Sequence, residues 1–382
     1  MAVARGAVSR VAGSLLVLTL GAAALTACEP APPTLEATTI VDGLVGPWDL
    51  TFTPSGSMIW TEKDGRIMIR RRTGQVLQLR ADMSDLWVKY TTGLMGIVVD
   101  PNFNSNRRIY TCQGFQRTGG VRNVRVIRWE ANAEGTALTR VGWPVVSIPS
   151  TSGNHSGCRL RFDHQRRLYV GTGDAITGTA PQDKTSLAGK VLRVNPDTGY
   201  GDPANPFHWS SVADKRKVFS YGHRNVQGLA FRASDRTMWS AEHGTGTDDE
   251  VNLEQPGGNY GWDPSRPPPY NENVPMTDTA RYPDAVIPRW ESGAPTIATS
   301  GITWLEGPQW KGWNGYLVAA TLKGQSLALF RPEANGTMTL VERLYQNEWG
   351  RIRTVQQGPD GALYLTTSNN GTGERIIRLN PN

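Results

Sequence analysis

Met58-Ile59-Trp60-Thr61 holds the pattern that decides the fold. A polar turn leads into an apolar-aromatic pair, and a small or apolar residue follows. The pattern returns as Arg108-Ile109-Tyr110-Thr111, Arg167-Leu168-Tyr169-Val170, Thr237-Met238-Trp239-Ser240, Asn314-Gly315-Tyr316-Leu317 and Ala362-Leu363-Tyr364-Leu365. Explicit turn residues precede it at Pro54-Ser55-Gly56 and Pro359-Asp360-Gly361. Basic-apolar strands follow several copies, as in Arg66-Ile67-Met68-Ile69-Arg70, Lys190-Val191-Leu192-Arg193-Val194 and Arg375-Ile376-Ile377-Arg378-Leu379. Short alternating strands bounded by turn residues predict antiparallel β-structure. Six copies spaced about 48 to 77 residues apart predict an all-β, six-bladed β-propeller of four-stranded antiparallel blades. A blade cannot bury its faces alone, so neighbours must stack and the ring must close. Thr38 to Leu44 is therefore expected to complete the blade begun by the C-terminal strands. The extra length between Tyr169 and Tyr316 marks where loops are expected to build a site. A two-sheet sandwich with long loops is the competing architecture.

The chain has 382 residues with 42 Gly, 25 Pro and 13 Trp and little helical periodicity, which favours one large all-β domain over two. Residues 1–27 read as a lipoprotein signal peptide. Arg5 and Arg10 form its basic start, and Ala12 to Leu25 its apolar stretch. Leu25-Thr26-Ala27-Cys28 resembles a bacterial lipobox, which implies cleavage before Cys28 and lipidation of its thiol. Residues 28–37 are expected to be the lipidated Cys and a Pro-rich extended tether, and 38–382 the propeller. The protein is thus expected to be exported and lipid-anchored to the bacterial cell membrane, facing away from the cytoplasm. The net charge of +6 falls to +4 without Arg5 and Arg10. That is too mild for a nucleic-acid binder, and no long basic run is present. Cys112 and Cys158 are open to a disulfide in an oxidising compartment if their loops meet.

Several chemistries lose support at once. There is no GxGxxG after a strand, no GxxxxGK[ST], no HExxH and no GxSxG. Five His in the whole chain disfavour a multi-His metal site, whereas oxygen-rich calcium sites stay open in the Gly-rich loops. Three polar, Gly-containing runs stand out: Asn154 to Leu160, Gly222 to Gly228 and Glu242 to Glu250. His155, Arg224, Lys323, Arg351 and Arg353 fall on or beside expected loops of different blades. Loops at one end of a propeller converge on its axis. Converging cations suit a planar polyanion, because Arg offers forked donors to carboxylates. A neutral His there can accept a hydroxyl proton. The plainer reading leaves the cations on the surface and His155 as a hydrogen-bonded loop residue.

A resemblance adds to this reading. It is carried by Gly93-Leu94-Met95-Gly96, Asp100-Pro101-Asn102-Phe103, His155 to Leu160, Gly171-Thr172-Gly173-Asp174, Leu187-Ala188-Gly189-Lys190, Tyr221 to Gly228 and Asn259-Tyr260-Gly261-Trp262. In order and number these motifs resemble the soluble pyrroloquinoline quinone (PQQ)-dependent glucose and aldose sugar dehydrogenases, from about Gly43 to the C-terminus. The resemblance implies a six-bladed propeller that oxidises an aldose-type sugar to its lactone with PQQ and Ca2+. It implies His155 as general base, Asp174 orienting it, and Arg224 stabilising charge on the quinone, with Asn225 also at the quinone site. Lys323, Arg351 and Arg353 resemble the cations that hold the cofactor carboxylates. Gly244 and Thr245 match a loop whose carbonyls coordinate a catalytic calcium, and Glu250 with the Tyr260 carbonyl resembles a second calcium site. The sequence departs from the family pattern at Thr91, Asn154, Cys158, Val226 and Thr245, with Thr91 costing one polar contact to the quinone. The expected partners are a small sugar, the membrane through the anchor, and an electron acceptor, either a quinone or a cytochrome, that the sequence does not identify. The competing functions are a non-catalytic propeller lipoprotein binding a sugar or envelope partner, and a metal-dependent propeller lactonase.

Overall fold

The computed structural model describes residues 1–4, 6, 30–117, 119–150, 152–266 and 269–382. Cys28 and almost all of the expected targeting segment lie outside the described residues. Each copy of the repeated motif leads into or lies on the second strand of one sheet: Met58–Glu62, Arg108–Gln116, Leu168–Thr172, Thr237–Glu242, Leu317–Thr321, which Tyr316 immediately precedes, and Leu363–Thr367. These strands are buried along most of their length because neighbouring sheets cover both faces. The sheets are six antiparallel blades around one axis, so the propeller expectation holds and the sandwich does not. The inner strands of blades 1 to 6 are Pro47–Phe52, Leu94–Val99, Gly157–Phe162, Val226–Arg232, Thr299–Trp304 and Ile352–Gln357. Each packs on the next, and the sixth packs on the first.

The ring closes where expected. Leu35–Val45 pairs antiparallel with Thr372–Pro381, joining the two ends of the chain in blade 6. The strand starts at Leu35, paired with Pro381, so residues 35–37 belong to the blade and not to the tether. Residues just before it are docked as well, since Gly312 N–H donates to the Ala31 carbonyl at 3.3 Å. Blade 2 departs from four strands by a short fifth one, Leu138–Arg140, along the edge of Arg122–Ala131.

Aromatic pairs seal the seams between blades. Trp239 of blade 4 meets Trp304 of blade 5 edge-on at 5.3 Å, and Phe52 of blade 1 meets Tyr364 of blade 6 at 4.8 Å. Burying each such ring stabilises the closed ring by roughly 2–3 kcal/mol. Cys112 of blade 2 and Cys158 of blade 3 are joined by a disulfide.

Three connections are far longer than hairpins, all in the stretch singled out by its extra length: residues 195–217, between the third and fourth strands of blade 3, and two that bear on the site. Residues 173–189 link the second and third strands of blade 3. Residues 254–289 link Glu250–Leu253 to Trp290–Glu291 in blade 4. This second loop climbs the edge of blade 3, where Tyr260 N–H donates to the Tyr221 carbonyl and Trp262 N–H to the Gly222 carbonyl. Gly222 has φ of 76°, and a Cβ there would lie 2.2 Å from Asn259 Oδ1, so only glycine allows the approach. The climb carries Trp262 and Tyr270 to the end of the barrel where the inner strands begin.

Candidate active site

The loop entering blade 3 coils tightly. His155, Gly157 and Cys158 all have left-handed backbone, with φ of 47°, 59° and 80°. Such angles cost non-glycine residues on the order of 1–3 kcal/mol each and persist only under external constraint. The disulfide anchors Cys158 from blade 2. Asn225 Oδ1 accepts the Gly157 N–H at 3.2 Å, and Thr91 binds the Gly153 carbonyl through both its N–H and its hydroxyl.

Held this way, His155 presents Nδ1 to Asp174 Oδ1 at 2.9 Å. Asp174 is fully buried and donor-saturated. Ile176 N–H also binds Oδ1, while Trp262 Nε1 and the Tyr270 hydroxyl donate to Oδ2 at 2.8 and 2.6 Å. A carboxylate flanked by donors only accepts, so the proton of the ring sits on Nδ1 and Nε2 is left as a base.

Beside this pair stands Arg224. Its guanidinium donates to the His243 carbonyl at 3.1 Å and to Glu272 at 2.7 Å, and its backbone N–H is capped by Glu242. Its Nε is buried without a partner, as is Nε2 of His243. Burial, helped by Arg224, Arg353 and His155, pushes the His243 imidazole down to about 3. Two imidazoles and two guanidiniums therefore share one field.

Arg353 extends the cationic wall. Its hydrogen bonds go to neutral groups, Ser368 and Gln227, and Arg351 Nε binds the Ser368 carbonyl. Burial, with Arg159 and Arg351 nearby, pushes Arg353 down to about 9. Lys63 lies close enough to feel Arg353 and is also lowered, by burial first. A group of cations short of anions, with orphaned donors, fits a ligand carrying several carboxylates. Lys323 stands further out. It is exposed and reaches Thr296, whose N–H binds the Gly246 carbonyl. Asn225 is more scaffold than expected, because its oxygen is committed to the Gly157 N–H and to Gln227 Nε2.

The metal expectations are tested by oxygen chemistry. Gly244 opens a tight turn whose N–H binds Asp249, and a Cβ on Gly244 would lie 1.9 Å from the Thr247 carbonyl. Asp249 also accepts the N–H groups of Ile297 and Ala298, which fixes the Gly244-Thr245 turn against that loop. Glu250 and the Tyr260 carbonyl meet at one hydroxyl, Thr277, at 2.8 and 3.2 Å. Glu250 faces Glu242 across the sheet, both buried, and burial with that neighbour pushes Glu250 well above the usual carboxylate range. Glu242 is paired with His223 at 2.9 Å, whereas Glu250 bonds only the neutral Asn252 and Thr277, so it is Glu250 that fits a hard cation. Among the described residues no three His, Cys, Asp or Glu side chains are grouped to hold a metal, so carbonyls and hydroxyls would supply most ligands.

Below the site the axis is plugged. Arg159, fully buried, bonds Asp49 at 2.5 Å, the Gln227 carbonyl at 2.8 Å and Thr354 at 2.7 Å, and stacks on Trp48. One side chain thus ties blades 1, 3, 4 and 6 together. Burial lowers it to about 10, against the pull of Asp49.

Sequence reasoning assigned no role to Lys63, Arg159, His243, Tyr270 or Glu272. The repeat carried one usable signal: Lys63 follows the second strand of blade 1 as Lys323 follows that of blade 5.

Comparison with known proteins gives the chain its family. Residues 44–378 match the family model described as Glucose / Sorbosone dehydrogenase. The chain is 28% identical over 364 residues to the aldose sugar dehydrogenase YliI of Escherichia coli, covering 92% of this chain and 94% of that protein. It is 32% identical over 374 residues to an uncharacterized protein of Synechocystis, covering 91% and 87%. The PQQ-bound aldose sugar dehydrogenase of Streptomyces coelicolor superposes with a TM-score of 0.73 at 28% identity, over 92% of this chain and 99% of that one.

Proposed function

As the chain belongs to the glucose/sorbosone dehydrogenase family, we propose that it oxidises an aldose-type sugar to its lactone with pyrroloquinoline quinone and calcium. The observation that carries this reading is the His155–Asp174 pair, with Nε2 of His155 free, beside a cationic wall of Arg224 and Arg353. The names of the Escherichia coli and Streptomyces coelicolor relatives support the substrate class and the quinone. When bound, the quinone supplies the two-electron hydride acceptor, and calcium a Lewis acid, that no side chain here provides.

The chain's own residues do the rest. His155 Nε2 takes the proton of the anomeric hydroxyl as the C1 hydride departs and the lactone carbonyl forms. Asp174 holds the ring in the reactive tautomer and stabilises the imidazolium. Arg224 offers a buried donor where negative charge builds up. Arg351, Arg353, Lys63 and Lys323 would hold the cofactor carboxylates, Gly244 and Thr245 the catalytic ion, and Glu250 with Tyr260 the second one. Arg159, paired with Asp49, ties blades 1, 3, 4 and 6 together beneath these groups. The lipobox at Cys28 supports an exported, lipid-anchored enzyme. No helix among the described residues is long and apolar enough to cross a membrane.

Purified protein loaded with calcium and quinone, assayed by dye-linked oxidation over a panel of sugars, tests the reading. Quinone-dependent oxidation of at least one aldose is expected. Binding of sugar without oxidation, or hydrolysis of a lactone in the absence of quinone, would replace it.

A further inference from the structure

The catalytic roles above leave one contact of the site without a function. We propose that Tyr270 is a positioning residue: its phenol locks the Asp174 carboxylate, and through it the Nδ1-protonated tautomer of His155. The inference rests on the proposed role of His155 as base.

Tyr270 touches both members of the pair. Its hydroxyl donates to Asp174 Oδ2 at 2.6 Å and lies 3.3 Å from His155 Nδ1. Its ring centroid is 6.4 Å from that of His155 and 6.4 Å from that of Trp262. Trp262 binds the same oxygen, but it does not reach the imidazole. Without the phenol, Oδ2 keeps a single side-chain donor and the carboxylate is free to turn, releasing Nδ1. Burial first, then the adjacent Asp174, hold the phenol protonated well above its ordinary range, so it stays a donor at any working pH. Arg224 and Glu272 also face it.

The chain builds this contact deliberately. Asn271 N–H donates to the Pro264 carbonyl at 2.8 Å, closing the loop that ends in Tyr270. That loop rests on Gly178 in the Asp174 loop, where a Cβ would lie 2.5 Å from the Pro269 carbonyl. The two long excursions are thus packed face to face, and the phenol crosses from one to the acid of the other.

The test is Tyr270→Phe, which keeps the ring and removes the hydroxyl. In the cofactor-free protein, 15N spectra of the histidine rings should show a single Nδ1–H tautomer for His155 in the wild type. In the variant they should show a mixture, and Asp174→Asn should reproduce that mixture. In the reconstituted enzyme kcat should fall about tenfold while the sugar KM changes less than about threefold, as expected for a weakened base. The thermal unfolding midpoint should shift by no more than about 4 °C, the scale of one lost hydrogen bond. A variant that keeps the single tautomer, or full kcat, overturns the assignment. A wild type that oxidises no sugar sinks the enzymatic reading instead, and the spectra alone then decide Tyr270.

Discussion

At the residue scale, the site is set by which groups are satisfied and which are not. Asp174 has every lone pair engaged, whereas His155 keeps Nε2 open. His155→Ala should therefore bind quinone as the wild type does and lose about 10²- to 10⁴-fold in kcat, read by dye-linked turnover beside a quinone titration. Unchanged turnover would remove His155 from the base role. Arg224 is different, because it already holds an exposed carboxylate, Glu272. That anion stands close to where an anionic ligand would sit. Glu272→Gln should tighten quinone binding by about 2- to 5-fold, the scale of an exposed ion pair, and weaker binding would show that Glu272 supports the ligand.

At the element scale, two devices hold loops in place. The Cys112–Cys158 disulfide closes a span of 46 residues and pins the left-handed loop that carries His155. Replacing both cysteines with serine should lower stability by about 2–4 kcal/mol in denaturant unfolding and reduce kcat as the loop loosens. Lys190 is the second device. Its buried ammonium donates to the carbonyls of Ala180, Pro181 and Ala188, tying down the loop that contains Asp174. Burial pushes it down to about 7 from its ordinary 10.5. The folded value lies below the unfolded one, so folding releases a proton in that window and Lys190 adds stability as pH rises through it. The deficit of Lys190→Met relative to wild type should thus widen between about pH 7 and pH 10 in thermal melts, and a constant deficit would contradict the shift. The blades were legible because Trp60, Tyr110, Tyr169, Trp239, Tyr316 and Tyr364 recur at or just before the start of the second strand of each sheet. The Gly-rich polar runs likewise exposed His155 and Arg224. Tyr270 and Glu272 were not legible, because the path of residues 254–289 depends on pairing with Tyr221 and Gly222 of another blade, which no local pattern encodes.

At the scale of the whole molecule, six blades are held shut by the chain ends on the rim and by Arg159 on the axis. Arg159→Met would leave Asp49 buried with only neutral donors and the more distant Arg161. A loss of about 3–5 kcal/mol is expected in denaturant unfolding, with partial recovery when Asp49→Asn is added. A loss below about 1 kcal/mol would show that the plug is not structural. The same closed ring gathers cations from several blades beside the His155–Asp174 pair, with few anions among them, and a cofactor carrying several carboxylates needs that surplus. Calorimetric titration of pyrroloquinoline quinone into the calcium-loaded protein tests it most directly. One equivalent should bind tightly, and Arg353→Ala should weaken it at least about tenfold, as loss of a charge-assisted contact demands. A wild type that binds no quinone, or an Arg353 variant that binds it equally well, would contradict the account.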